Sequence, residues 1–201
     1  ATLTIPFTKK LKGQFGLNFN RTNYSFTDKF NKGEANKSAE RAFDPIFAPN
    51  INLMYQFTND HSAYVNFSRG FNYPSIEETL TPEGVINPDL GPEKGYNYEI
   101  GSENYFFSRK LHFKMNAYLL DIDDLLVADR VGDDEYVGRN AGNTEHKGIE
   151  LQLSYFHSIN NIGYISPYIN AELTQHKFID FVDGEDNFSG NQLTGVPKRK
   201  V

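Results

Sequence analysis

Hydrophobic and polar residues alternate with a period of two in eight separate runs of the chain. Side chains of a β-strand point to opposite faces in turn, so each run predicts a strand with one apolar face and one polar face. In one run, Leu111, Phe113 and Met115 alternate with His112 and Lys114. The runs cover residues 2–7, 14–20, 51–58, 62–68, 96–101, 111–119, 149–155 and 164–173. The pattern therefore predicts an all-β chain of about eight strands.

The connections between these runs alternate between tight turns and long polar loops. Tight turns are predicted at Lys9-Lys10, Asn59-Asp60, Ser108-Arg109 and Asn160-Asn161. Long loops are predicted at 27–45, 71–94, 128–135 and 177–196. In an antiparallel up-and-down meander, this order collects all turns at one end of the sheet and all long loops at the other. Such sorting is typical of membrane-spanning β-barrels.

Aromatic residues cluster beside the predicted tight turns. Those before a turn are Phe57, Tyr105, Phe106, Phe107, Tyr155 and Phe156, and those after a turn are Tyr64, Phe113 and Tyr164. Membrane barrels carry rings of aromatic side chains where the wall meets the lipid headgroups. The clustering therefore favours a membrane wall, although the chain has 17 Phe and 12 Tyr but no Trp.

Composition narrows the class further. Hydrophobic residues make up 38% of the 201 residues, and no apolar stretch reaches the length of about 18 residues that a membrane helix needs. Any crossing of a membrane must then use strands. The net charge of −6, with 20 scattered Lys and Arg residues, argues against a nucleic-acid surface, and we expect no nucleic-acid partner.

The same alternation is compatible with a water-soluble β-sandwich, in which it marks a core face. A soluble adhesin or carbohydrate-binding module is therefore an alternative, and a β-rich glycosidase is a further one. A soluble domain would bury its apolar face against a second sheet, whereas a membrane wall would leave that face to lipid.

Residues with potential chemistry are scattered. The five histidines, at 61, 112, 146, 157 and 176, lack the close spacing of a zinc site, and the acidic runs do not follow a calcium-loop template. We therefore expect no catalytic residue, no metal ligand and no cofactor. Asn87 and Asn140, which lie beside turn residues, are predicted to satisfy nearby backbone groups.

Several ordered stretches resemble the barrel domain of TonB-dependent receptors. The matching stretches are 61–71, with Phe67-Ser68-Arg69-Gly70-Phe71; Pro74; Glu77-Glu78; Asn87-Pro88-Asp89-Leu90-Gly91-Pro92-Glu93; Tyr98-Glu99-Ile100-Gly101; 118–126; Asn140-Ala141-Gly142; and Lys147-Gly148-Ile149-Glu150. The similarity extends from about residue 46 onward.

This resemblance implies a defined architecture. Residues 1–201 would form about eight strands of a 22-stranded transmembrane β-barrel domain, without the plug domain and the remaining strands. Pro197 would introduce a further strand. The parent protein would lie in the outer membrane of a Gram-negative bacterium, contact its lipid, and import a ferric siderophore or ferric citrate with energy from the TonB complex, which engages the plug region.

An anionic ferric chelate favours cationic ligands on the long-loop side, and Arg above all, because its planar fork pairs with carboxylates at two points. Aromatic residues of the same loops are also candidates. The candidate ligand-binding residues are Lys32, Lys37, Arg41, Arg69, Tyr73, Arg130, Tyr136 and Arg139.

Overall fold

The structure, a computed structural model, describes residues 1–133, 135–159 and 162–201. Almost all regular structure in these residues is β-strand. The strands are β1 (Thr2–Pro6), β2 (Leu11–Asn20), β3 (Asn23–Phe26), β4 (Ala39–Ala42), β5 (Ile46–Gln56), β6 (His61–Asn72), β7 (Glu93–Phe106), β8 (Leu111–Asp123), β9 (Leu126–Gly132), β10 (Glu135–Asn140), β11 (Asn143–Tyr155), β12 (His157–Ile159), β13 (Gly163–Ile165), β14 (Tyr168–Asp180), β15 (Val182–Asp183), β16 (Asp186–Asn187) and β17 (Arg199–Lys200). A short 3₁₀ turn covers Gly33–Ala35, and one helix, α1, covers Ile76–Thr79.

One sheet contains nine of these strands, in the order β1-β2-β5-β6-β7-β8-β11-β14-β17. Each pairs antiparallel with the next, and we call this sheet the wall. The other paired strands form two-stranded hairpins between neighbours of the wall. The predicted meander of about eight strands is confirmed, and the strand expected after Pro197 is present as the short β17.

The wall has one apolar face and one polar face because its register keeps like side chains in the same rows. One row across five strands pairs Leu53 with Val65, Val65 with Ile100, Ile100 with Ala117, and Ala117 with Ile149. Residues one step along each strand point to the opposite face. The apolar face is left open: Val65 is 46% exposed and Ile100 59% exposed.

The apolar face has dimensions suited to a membrane. On β8 it extends from Leu111 to Leu119, which corresponds to about 27 Å along an antiparallel strand. A strand tilted by about 40° then spans about 20 Å along the membrane normal, comparable with the apolar band of about 25 Å in outer-membrane barrels. Among the described residues, no helix is long and apolar enough to cross a membrane.

The predicted sorting of turns and loops is confirmed. Short connections lie at 7–10, 57–60 and 107–110. The fourth predicted turn, Asn160-Asn161, lies outside the described residues; it falls within the connection 156–167, which also contains the paired strands β12 and β13. The long connections are loop 1 (21–45), loop 2 (73–92), loop 3 (124–142) and loop 4 (181–198). Loop 3 is longer than the predicted 128–135 because its extended segments β9 and β10 pair with each other and not with the wall.

The few fully buried side chains lie at the loop end of the wall. They are Phe43, Ile46, Ala48, Pro74, Thr79, Leu90, Ala141 and Thr144. The apolar face therefore does not form the core of a soluble globule: in the described chain its partner is neither a second sheet nor a helix. This finding does not favour the soluble β-sandwich alternative.

Substitutions on the two faces should separate a lipid-facing wall from a packed one. Leu151 lies in the middle row of the apolar face, and Gln152 is its neighbour on the polar face. We expect Leu151→Arg to destabilise the protein folded in lipid bilayers by about 2–4 kcal/mol, because the guanidinium would lie near the bilayer midplane.

Gln152→Arg is the matched control and should change the free energy of unfolding by less than about 1 kcal/mol, because its side chain faces away from lipid. Denaturant titration of the bilayer-folded protein measures both. Equal destabilisation by the two substitutions would contradict the assignment of faces.

Candidate ligand-binding face at the loop end

The polar face of the wall carries ionisable groups of both signs. Four carboxylates on its central strands belong to Glu99, Glu103, Glu150 and Glu172, and Lys114 lies among them. Tyr64 donates a hydrogen bond to Glu99, and Asn116 donates one to Glu150 at 3.1 Å. This face is polar and charged, as the lining of a water-filled space would be.

Loops 1 and 2 are joined chiefly through Arg41 on β4. Its guanidinium donates to the backbone carbonyls of Asn87 and Leu90, and to that of Pro88 at 3.1 Å. The same group lies 4.5 Å from the ring centre of Phe43. Arg41 was predicted to bind a ligand, but in this structure its fork holds the backbone of loop 2.

Two further contacts reinforce this junction. Tyr24 donates its hydroxyl hydrogen to the carbonyl of Pro74 at 2.6 Å, and burial raises the pKa of that hydroxyl. Lys37, another predicted ligand residue, donates to the carbonyl of Glu83. Loop 1 therefore contacts loop 2 along much of its length.

Loop 2 has its own local structure. Ser75 caps α1 by accepting from the backbone N–H of Glu78, and the Glu78 carboxylate accepts in return from the backbone N–H of Ser75. This reciprocal capping box satisfies two donors that a four-residue helix would otherwise leave unpaired. The side chains of Thr79 and Leu90 are almost completely buried, and this burial fixes the position of the loop.

Asparagines join loop 2 to loop 3. Asn140 accepts from the backbone N–H of Gly91 at 2.6 Å and donates to the carbonyls of Gly91 and Asp124 at 3.1 and 2.7 Å. Asn87 donates to the carbonyl of Gly138 at 3.0 Å and accepts from the N–H of Asp89. Both asparagines satisfy backbone groups, as predicted, and three of their five hydrogen bonds act between loops 2 and 3.

Arginines of loop 3 bind within that loop and across to loop 4. Arg139 lies 2.9 Å from a carboxylate oxygen of Asp129 and 3.0 Å from one of Asp183, and it donates to the carbonyl of Val182. Arg130 donates to the carbonyl of Gly132 at 3.0 Å and lies 3.3 Å from Asp133. Both were predicted ligand residues.

Arg69 and Tyr73 occupy different surroundings. Arg69 lies on the apolar face of the wall with Val65, 5.5 Å from the ring centre of Tyr96, so a ligand on the polar face would not meet it. Tyr73 packs its ring 5.1 Å from that of Phe43. Its hydroxyl is 3.5 Å from the carbonyl of Asp44.

The remaining predicted ligand residues lie at loop tips. Lys32 is exposed immediately before the 3₁₀ turn of loop 1, and Tyr136 is 54% exposed on β10. Phe30, which the sequence did not single out, projects next to Lys32 and is 95% exposed. The structure thus separates predicted residues that hold loops together from those presented to solvent.

A cleft of about 380 Å³ lies between loops 1 and 2 and the end of the wall. It is lined by Arg41, Arg69 and Lys94 together with Asp44 and Asp89. Burial lowers the pKa of Arg41, and the nearby Asp89 carboxylate opposes that effect. The cleft is therefore polar, but Lys94 is already paired with Asp124 at 2.7 Å and Arg41 with the carbonyls of loop 2.

Sequence reasoning missed one close pair of ionisable residues. His146 and His176, thirty positions apart, are direct cross-strand partners on β11 and β14. Their Nδ1 atoms are 2.7 Å apart. Alternation within each run predicts the face of each histidine but not the register that makes the two residues partners.

Comparison with known proteins identifies the architecture. The family model described as TonB dependent receptor-like, beta-barrel matches residues 1–201. No curated protein sequence matches the chain.

Solved structures with a similar fold include three transport proteins. The ferric yersiniabactin uptake receptor FyuA from Yersinia pestis is 18% identical, with a TM-score of 0.68 over 98% of this chain and 29% of that one. The ferric-catecholate import receptor Fiu from E. coli K12 is 14% identical, with a TM-score of 0.66 over 98% and 29%. The copper transporter OprC is 16% identical, with a TM-score of 0.65 over 88% and 28%. The chain spans less than a third of the length of each.

Replacing Arg41 should loosen loop 2. Arg41→Lys keeps the charge but cannot reach three carbonyls with one ammonium group, and each charged hydrogen bond contributes about 1.5–3 kcal/mol. We expect amide hydrogen exchange in residues 86–91 to accelerate at least tenfold. Lys32→Ala, in the exposed part of loop 1, is the control and should leave this exchange unchanged. Unaltered exchange in Arg41→Lys would show that the loop is held by other contacts.

The tip of loop 1 should keep its structure in mild acid. Asp28 accepts from the backbone N–H groups of Asn31, Phe30 and Lys37, and the Asn31 contact is the main cause of an Asp28 pKa far below its usual range. Because the pKa is lower in the folded state, the Asp28 carboxylate stabilises the loop above about pH 4. This stabilisation is lost only as the pH falls well below about 4.

Amide exchange at Phe30, Asn31 and Lys37, measured by NMR or mass spectrometry and corrected for intrinsic rates, should therefore show constant protection from pH 7 to pH 5. Asp28→Ala should remove the protection at every pH. Loss of protection in the native protein near pH 6 would contradict the role of this carboxylate.

Proposed function

Because the chain belongs to the TonB dependent receptor-like β-barrel family, we propose that its parent protein binds a ferric chelate, a siderophore or ferric citrate, and imports it across the outer membrane of a Gram-negative bacterium with energy from TonB. Residues 1–201 supply wall strands and outer loops of the barrel domain. The family consists of receptors and transporters, so no covalent chemistry is part of this proposal.

The observation that carries the proposal is the match of the family model to the whole chain. Two structural features support it. The apolar face forms a band of membrane thickness, and all long loops lie at one end of the wall. FyuA and Fiu, which share this fold, are receptors for ferric yersiniabactin and ferric catecholates.

The partners follow from the two faces. The apolar face contacts outer-membrane lipid. The polar face, with Glu99, Glu103, Glu150 and Glu172, lines the lumen, where a plug domain encoded elsewhere in the parent protein would lie and receive the TonB complex. A polar, charged lining suits a plug domain that moves better than an apolar lining would, because water can solvate the polar groups of the lining when the plug moves away.

The ligand would reach the loop end first. Lys32 and Tyr136 are exposed there and free to meet an anionic or aromatic chelate, while Arg41, Arg130 and Arg139 hold the loops in position. Lys37 and Tyr73 stay in the proposed ligand set as residues at the junction of loops 1 and 2. Arg69 contributes least to it, because it lies on the apolar face.

The proposal is tested by uptake of radiolabelled iron. Cells that express the full-length receptor and lack their other iron receptors are offered ferric citrate and ferric hydroxamate, catecholate and mixed-ligand siderophores. We expect accumulation of iron from at least one chelate, and loss of that accumulation when TonB is deleted. Absence of TonB-dependent uptake with every chelate would refute a ferric cargo.

Residue roles are tested with the chelate that is taken up. Lys32→Ala and Tyr136→Ala should each weaken binding of the chelate several-fold, because each substitution removes a solvent-facing contact. Binding is measured by calorimetry. Lys9→Ala, in the turn at the opposite end of the wall, is the control. An equal effect of all three substitutions would remove Lys32 and Tyr136 from the ligand set.

A further inference from the structure

Two histidines face each other on the polar face of the wall, close to the loop end. His146 on β11 and His176 on β14 are cross-strand partners, and both side chains are half-buried. Their ring centres are 4.9 Å apart, with an interplanar angle of 60°. The Nδ1 atoms are 2.7 Å apart, the distance of a hydrogen bond between one protonated and one unprotonated nitrogen.

This separation suits a metal ion as well as it suits a hydrogen bond. Two nitrogens at right angles around a metal, each about 2.0 Å from it, lie about 2.8 Å apart. Adjacent positions of a tetragonal ion have this right-angle geometry, which Cu²⁺ and Ni²⁺ prefer, whereas tetrahedral Zn²⁺ needs a wider separation. The N–N distance of the pair already matches this geometry, and each ring must turn so that its Nδ1 lone pair points toward the ion and not toward the other nitrogen.

A buried hydroxyl orients one of the two rings. The Oγ1 atom of Thr144 lies 3.0 Å from Nε2 of His146, and Thr144 is 1% exposed. When Nε2 of His146 carries the proton and donates to Thr144, its Nδ1 has a free lone pair. Metal-binding histidines are commonly fixed by such a contact of the second ring nitrogen.

On the side of β8, the row of the wall that contains the pair carries no charged residue, whereas on the other side Lys198 of loop 4 lines a small cavity together with His176. The partner of His146 on β8 is Leu120, and the corresponding residues on β7, β6 and β5 are Asn97, Ser68 and Asn50. No group of three His, Cys, Asp or Glu side chains in the described residues could enclose a metal ion. Other ligands of an ion at this pair must come from outside the wall.

From these contacts we propose that His146 and His176 form a two-nitrogen binding site for Cu²⁺ or Ni²⁺ carried in a chelate that leaves two adjacent coordination positions open. The histidines occupy those positions and the chelate occupies the rest. Imidazole suits these ions better than it suits a ferric ion saturated by oxygen ligands. The site goes beyond the proposed ferric cargo and does not depend on it.

The test uses the full-length receptor, purified in detergent without a histidine tag, and the complex of Cu²⁺ with iminodiacetate as the probe. This complex has open positions that two imidazoles can fill. We expect calorimetry to show one binding event, and pulsed electron paramagnetic resonance to show two equatorial imidazoles. His146→Ala and His176→Ala should each weaken binding at least tenfold and reduce the signal to one imidazole.

Three further variants make the outcome specific. His176→Gln keeps a polar side chain opposite His146, so it should fold normally and still lose binding. Thr144→Val should weaken binding several-fold while both imidazoles remain in the spectrum. His157→Ala, on the exposed β12, should have no effect. Folding of each variant is checked by comparing the gel mobility of unheated and heated samples.

Binding that is absent in the native receptor, or that survives in the double variant His146→Ala/His176→Ala, would overturn the site. Ferric chelate uptake measured on the same variants keeps the two proposals distinguishable. If the His146 and His176 variants lose copper-chelate binding but keep their iron uptake, the histidine site is supported independently of the proposed ferric cargo.

Discussion

Backbone hydrogen bonding within the wall is the constraint on which the other features depend. In hydrocarbon an unpaired N–H or C=O group costs several kcal/mol, so each strand must be paired along its whole membrane-crossing length. The continuous antiparallel ladder from β2 to β14 meets that condition. It also fixes the register, and the register assigns every side chain to the apolar or to the polar face. A shift of one residue between β8 and β11 would turn Leu151 toward the polar face and Gln152 toward the apolar face.

In the described residues the apolar face of the wall packs against neither a second sheet nor a helix, so no core forms between layers. Most of the buried side chains accordingly lie in the loops, among them Phe43, Leu90 and Thr79, and the others lie on β5 and β11 near the loop end. These buried side chains are few, and hydrogen bonds from other side chains to backbone carbonyls add to the stability of the loops. Arg41, Asn140 and Arg139 connect successive loops in this way. Their polar groups satisfy carbonyls that irregular loops would otherwise leave to water.

The sequence predicts the wall well because its signal is local. Alternation within each run, such as Leu111 to Leu119, reports the two faces directly, and loop lengths report the meander. Contacts between loops have no such signal. Arg41 looks the same in the sequence whether it binds a chelate or the carbonyls of residues 87–90, since the choice depends on where loop 2 folds. The pair His146 and His176 was likewise hidden by a separation of thirty residues, although the strand register contained it.

Holding the loops together has a consequence for ligand capture. Ordering flexible loops around a ligand reduces the affinity that the contacts themselves provide, by about 0.5–1.5 kcal/mol for each side chain immobilised. The side-chain contacts that join loops 1 to 4 are made between protein groups alone, so under the proposed function that entropy is lost during folding and not on binding. The exposed residues Lys32 and Tyr136, the proposed ligand contacts, would then be presented from ordered loops. A cationic residue at a loop junction can therefore increase affinity without touching the ligand, because it fixes the position of the residues that do.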